Sequence, residues 1–190
     1  MALLQRITEA EYRELALSDS NETWELWDGV PLAKPAMSAK HNDTAILLGY
    51  WLLDQLDWTV YMVRVEAPKT SINPRNYYVP DVAVVPVAYG ARLTLHELEV
   101  YADLLPLVVE VWSPSTGDYD VGAKLRGYQA RGDEEIWSLH PYERTLTAWR
   151  CQPDGSYTET VYHGGIVAVA SLPGVAIDLD ALLDRQRPGS

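Results

Sequence analysis

Cysteine is almost missing from this chain of 190 residues, in which Cys151 stands alone. One cysteine cannot close an intramolecular disulfide, and it excludes a zinc site built from cysteines. It also suits a reducing compartment, so the protein is expected in the cytoplasm. No run approaches the ~18 apolar residues that a membrane span needs. The segment from Met1 to Tyr12 has no apolar core of signal-peptide length. Cations are scarce: 15 Lys and Arg against 27 Asp and Glu give a formal net charge of −12. Such a body argues against a non-specific nucleic-acid coat, whose affinity comes from Lys and Arg on phosphates. It is compatible with an enzyme that keeps a local basic channel on an acidic surface. Phenylalanine is absent, the aromatic content being 7 Trp and 12 Tyr, and that absence excludes no function. What is present is 47% hydrophobic, enough for a single domain over residues 1–190 with a real core.

The patterning is mixed. Thr8 and Glu11 have the spacing of a capping box and start a short helix, roughly residues 8–16. Trp24 to Val30 alternates and runs into Asp28-Gly29, the signal for a hairpin whose second strand is Val30 to Lys34. Ser38 is a candidate N-cap for a helix over about 39–57. Ile46, Leu47, Tyr50, Leu53 and Leu56 are expected to supply its buried stripe. Strands follow at Thr59–Val65 and Asp81–Val87, with a loop or edge strand from Pro68 to Pro74. A short helix is expected around Leu95–Ala102, then a strand at Leu107–Trp112. Asp120 starts a helix ended by Gly132. Strands at 135–139, 145–150, 157–162 and 167–170 read as an antiparallel meander, and Asp180 to Arg185 as a terminal helical turn or two. The fold class is therefore α/β (α+β mixed), a central mixed sheet flanked by helices with additional antiparallel hairpins. The unit from 107 to 139 pairs its strands in parallel through a crossover helix.

Two carboxylates are out of place. Glu110 closes the apolar run Leu107-Val108-Val109, and Asp81 opens Val82-Ala83-Val84-Val85. An ionised carboxylate among Val and Leu is expensive unless it is paired or binds a cation. Asp81, Glu110 and the backbone carbonyl of Val111 would make an oxygen site for Mg²⁺ (or Mn²⁺), which usually takes one or two carboxylates plus waters and substrate phosphate. Such an ion polarises a phosphoryl oxygen and acidifies a bound water. Lys124, on the next helix, would stabilise the developing charge or orient the attacking water. Each residue also has a plain alternative. Asp81 is a strand-start residue after Pro80, Glu110 a carboxylate satisfied by an arginine such as Arg126 or Arg144, and Lys124 the partner of Asp120 in an exposed helix ion pair. Glu25 is either an additional ligand or an outward strand residue. His41, near a helix N-terminus, either binds phosphate or orients water, or is structural.

Pro80-Asp81 followed by Glu110-Val111-Trp112 resembles the PD-(D/E)XK nuclease signature, with Trp112 where the lysine should stand. The fuller pattern is similar to one bacterial branch of that superfamily, the Uma-type restriction endonuclease family. The matching pieces are Trp24 to Gly29, Ser38 to His41, Val79 to Val82, Val109 to Thr116, Asp120 to Lys124 with Tyr128 to Gly132, Glu135 to Pro141, and Leu172 to Gly174 with Leu179-Asp180. The resemblance runs from about Ile7 to Leu183. It implies a restriction endonuclease-like fold and a metal-dependent endonuclease acting on DNA. It also implies a lysine moved from the strand to the following helix, at Lys124. Catalysis is then expected from Asp81, Glu110 and Lys124, metal binding from Asp81 and Glu110, with Glu25 and His41 as additional site residues.

Two functional classes stay in play. One is the endonuclease, for which a homodimer would supply a site to each DNA strand. The other is a nuclease fold kept as a structural or protein-interaction module, which the −12 charge and the missing strand lysine favour.

Overall fold

The computed structural model describes residues 5–18, 22–66, 68–90, 98–114, 117–186 and 188, with backbone alone for 117–121. The chain begins with α1 (Glu9–Ala16), whose Thr8 and Glu11 do form the capping box. The hairpin β1 (Trp24–Trp27) and β2 (Val30–Ala33) follows, turning at Asp28 (φ 50°) and Gly29 (φ 82°). Positive φ at both central residues suits an Asp-Gly turn between twisted strands. Then come α2 (Ala39–Gln55), capped by Ser38, and β3 (Tyr61–Val65), β4 (Lys69–Asn73), β5 (Asn76–Tyr78) and β6 (Val82–Pro86). After α3 (Val87–Gly90) and β7 (Val100–Tyr101) the chain runs through β8 (Leu107–Val111), α4 (Gly117–Arg131), β9 (Glu135–His140), β10 (Thr145–Cys151) and β11 (Tyr157–Tyr162). It ends on β12 (Ile166–Ala168), β13 (Ala176–Asp178) and α5 (Leu179–Leu183).

The strands form a mixed α/β arrangement with more than one sheet. Six strands line up as β11-β10-β9-β8-β6-β3, all antiparallel except β8 with β9, which α4 joins as a parallel crossover. A five-stranded sheet, β2-β1-β5-β4-β7, stands apart from it, and β12-β13 is a separate pair. The six-stranded sheet is the central mixed sheet, and the β1–β2 hairpin extends into the second one. The segment from Pro68 to Pro74 is neither a loop nor an edge strand, because β4 has neighbours on both sides. Of the helix expected around Leu95–Ala102, residues 95–97 lie outside the described residues, and Val100–Tyr101 is a strand. The meander stops at β11, because β12 pairs with β13. Among the described residues no helix is long and apolar enough to cross a membrane.

Strand alternation builds a core on each face of the six-stranded sheet. Val82, Val84, Val109 and Val111 pack with Leu48, Trp51 and Leu52 of α2. Ala83, Val85 and Val108 face the opposite way, with Tyr78, Tyr101 and Tyr128. Glu110 has the parity of Val108, which sends it toward α4. The stripe expected on α2 is displaced: Ile46, Tyr50 and Leu53 are exposed, while His41, Thr44, Ala45, Leu48, Trp51 and Leu52 are buried. The buried side is the one with small residues. A Cβ on Gly49 would lie 2.8 Å from Val65 Cγ2, so that face alone can approach β3 closely.

Candidate functional site

Two strand ends set the site. β6 and β8 pair antiparallel with Val82 opposite Val109, and the Asp81 N–H still donates to the Val109 carbonyl at 3.1 Å. Carrying that register one residue further sets Asp81 across from Glu110, where opposed Cα atoms are about 4.5–5.5 Å apart. Both residues are buried, Asp81 at 2% and Glu110 at 6% exposure.

Glu110 is held from α4. The Tyr128 hydroxyl donates to its Oε1 at 2.5 Å, and Lys124 Nζ stands 3.3 Å from its Oε2. Lys124 is fully buried and also lies 2.9 Å from Glu25 Oε1. The exposed-helix alternative for this lysine therefore fails, and of the two arginines considered for Glu110, Arg144 is paired with Asp180 and Asp184 instead. Glu25 comes from β1, in the other sheet. It accepts from the Val79 N–H (2.8 Å) and Trp27 Nε1 (2.9 Å), so it points inward. The helix comes this close because of Gly127. A Cβ there would lie 2.6 Å from Tyr78 Cε2. Burial, and the Glu110 carboxylate beside it, raise the Tyr128 hydroxyl well above its ordinary pKa. It therefore stays protonated and donating.

Asp81 is held by a different set. Lys34 Nζ lies 2.5 Å from its Oδ1, and the Val111 N–H donates to its Oδ2 at 2.6 Å. His41 Nε2 stands 3.0 Å from that same Oδ2. Lys34 also donates to Glu66 Oε2 (2.8 Å) and the Val79 carbonyl (3.2 Å), so three oxygens surround its ammonium. Burial pushes the Lys34 amine down, but the Asp81, Glu110 and Glu66 carboxylates together outweigh it and the net shift is upward. Burial would likewise lift the Asp81 carboxyl; Lys34 first, then His41, overcome it and hold Asp81 well below the usual carboxylate range. For His41, burial is again outweighed by Asp81, and its pKa rises. Glu66 is raised, chiefly by burial. The two groups are electrically linked, since Lys124 acts on both Lys34 and Asp81.

Asp81, Glu110, Lys124, Glu25 and His41 thus all lie in or beside this buried charge cluster. Sequence reasoning missed Lys34 and Glu66, and gave Tyr128 no role. Lys34 carries no motif, being simply the residue after a short hairpin strand. Glu66 has a signal only in its backbone, φ 54°, a left-handed conformation that non-glycine residues seldom adopt. A cavity of about 610 Å³ opens onto Lys34, Asn42, Ala45, Ile46, Val65 and Glu66. Oxygen donors dominate the cluster, a composition that suits a hard divalent cation.

Comparison with known proteins places this geometry in context. The family described as "Uma2: Putative restriction endonuclease" matches residues 9–180. No curated protein matches the chain. Among solved structures, a "putative nuclease belonging to DUF820" from Anabaena variabilis ATCC 29413 superimposes with a TM-score of 0.76 at 18% identity. The match covers 94% of this chain and 98% of that one, and it shows that the two share a fold.

Proposed function

Because the chain belongs to the Uma2 family, whose description is "Putative restriction endonuclease", we propose that it is a divalent-metal-dependent endonuclease hydrolysing phosphodiester bonds in DNA. One observation carries the reading: a lysine from the helix after the Glu strand is wholly buried, with its ammonium against Glu110 and Glu25. Burying a charge on four methylenes is costly, and fold stability alone would be served as well by apolar packing. Asp81, Glu110 and the Val111 carbonyl would hold Mg²⁺ or Mn²⁺, which when bound polarises a phosphoryl oxygen and acidifies its water. Tyr128 fixes the Glu110 carboxylate by its hydrogen bond. Glu25 fixes Lys124, whose ammonium stabilises charge on the phosphate oxygens or orients the incoming water. His41 steadies Asp81. A homodimer would present one site to each strand of a duplex.

The rival reading is a nuclease fold retained as a structural or protein-interaction module. It is favoured by Lys34, whose ammonium already neutralises Asp81 from inside the protein. Supercoiled plasmid incubated with the protein and Mg²⁺ or Mn²⁺ decides between them. Nicking or linearisation by wild type that disappears in folded Lys124→Met supports the nuclease. No cleavage of any tested DNA, or cleavage unchanged in Lys124→Met, replaces it with the module.

A further inference from the structure

The geometry points to a second cation site that does not use Glu110: a divalent transition metal of the Mn²⁺ or Zn²⁺ type bound by His41 Nε2, Glu66 Oε1 and Asp81 Oδ2. One ligand atom from each of the three residues lies within 4.8 Å of the others, with His41 Nε2 3.0 Å from Asp81 Oδ2 and the other ring nitrogen 3.8 Å from Glu66 Oε1. Metal–ligand bonds of about 2.0–2.2 Å put ligand pairs at most about 4.4 Å apart, so a closure of a few tenths of an ångström completes the set.

Two buried polar atoms carry the inference. Among the described residues His41 Nε2 and Glu66 Oε1 have no hydrogen-bond partner, although the His41 side chain is 0% exposed. Nε2 lies 3.0 Å from Asp81 Oδ2, an ion-pair distance. With its proton on Nδ1, His41 donates to Asn42 Oδ1 (3.3 Å) and turns the Nε2 lone pair toward the carboxylates. That tautomer, fixed by a partner on the other ring nitrogen, is the one metal-binding histidines use. A ring nitrogen and a carboxylate oxygen 3.0 Å apart in a dry interior need a positive charge between them, which is a proton on His41 when no metal is bound and the metal, displacing that proton, when one is.

The carboxylates are preset for it. Lys34 clamps Glu66 Oε2 and Asp81 Oδ1, the other oxygen of each group. Charge points the same way. Among the described residues Glu66 and Asp81 share one ammonium, that of Lys34, and a divalent ion that displaces the His41 proton adds positive charge beside them. Glu66 lines the cavity and its side chain is 35% exposed, which gives an ion a way in. An imidazole nitrogen among the ligands selects Mn²⁺ or Zn²⁺ over Mg²⁺.

Titration calorimetry of the full chain with Mn²⁺, and separately with Zn²⁺ and Mg²⁺, tests the site. Wild type should bind Mn²⁺ or Zn²⁺ at least about tenfold more tightly than Mg²⁺. His41→Ala and Glu66→Gln should each weaken that binding by about tenfold or more. Glu110→Gln should leave this binding event at wild-type strength. Glu66 lies in a partly exposed loop, so its variant keeps the test alive if His41→Ala does not fold. No binding of either ion by wild type, or undiminished binding in folded Glu66→Gln, overturns the site. Binding lost only in Glu110→Gln also overturns it, and leaves the endonuclease standing. Binding that depends on His41 and Glu66 in a protein that cuts no DNA keeps the site and removes the endonuclease.

Discussion

Asp81 and Glu110 face each other across two paired strands, yet one lies in a closed setting and the other in an open one. Glu110 is enclosed under α4, with Tyr128 and Lys124 brought onto it by the helix. Asp81 belongs to a group assembled from a hairpin end, a helix start and a loop: Lys34, His41 and Glu66. The Glu110 side is rigid because a helix packed against β5 through Gly127 cannot shift without displacing Tyr78. The Asp81 side borders a cavity and keeps two polar atoms without hydrogen-bond partners among the described residues. The same chemical group, a buried strand-end carboxylate, is thus enclosed under a helix on one side of the ladder and set beside a cavity on the other.

The sharpest way to break the contrast is at Lys124. If it is catalytic, Lys124→Met should lower Mg²⁺-dependent plasmid cleavage by about 10²–10³-fold, the usual cost of losing one preorganised charge stabiliser. Its affinity for the metal should be unchanged or slightly higher. Asp81→Ala and Glu110→Ala should abolish cleavage and weaken Mg²⁺ binding together.

Stability gives the next largest effect. Lys124→Ala leaves Glu25 and Glu110 buried without their ammonium and should cost about 3–5 kcal/mol in urea unfolding. Lys34→Met should cost less, because Asp81 keeps the Val111 N–H and His41, and Glu66 is partly solvated. Equal losses at the two lysines would erase the distinction between a closed and an open side.

Packing comes third. Gly127→Ala places a methyl against the Tyr78 ring and should destabilise by about 1–3 kcal/mol. Gly122→Ala, on the same helix with open space around its Cβ, should be neutral or slightly stabilising. Thermal unfolding of the pair separates contact with the sheet from helix propensity.

The pH dependence should be the mildest signature. Asp81 is depressed in the folded state, so its contribution is fully present above the ordinary Asp range near about 4. It is lost as the pH falls through the lowered folded value. His41 is raised, so its contribution is present below its ordinary range and lost as the pH rises through the raised value. Asp81→Asn should flatten both limbs of a stability–pH curve measured by urea unfolding, since the two shifts share one contact. An unchanged acid limb in Asp81→Asn would remove Asp81 from the account.

Much of this was legible in the chain itself. The capping box at Thr8 and Glu11, the Asp28-Gly29 turn, the Ser38 cap and the β8–α4–β9 crossover rest on local rules: hydrogen bonds within a few residues, or the period of a strand. The odd carboxylates Asp81 and Glu110 were visible because charge interrupts an apolar run. What tertiary structure decided is of another kind. Helix α2 is apolar around much of its circumference, so its pattern could not say which face turns inward. Gly49 and its small neighbours chose, by the closeness they allow to β3. The second sheet arose from strands too short to declare partners. Lys34 and Glu66 sit 47 and 15 residues from Asp81 in sequence, outside any local motif. They meet it only because a hairpin, a helix start and a left-handed loop residue converge on one strand end. A buried ion pair is a property of positions in space, and no spacing along the chain encodes it.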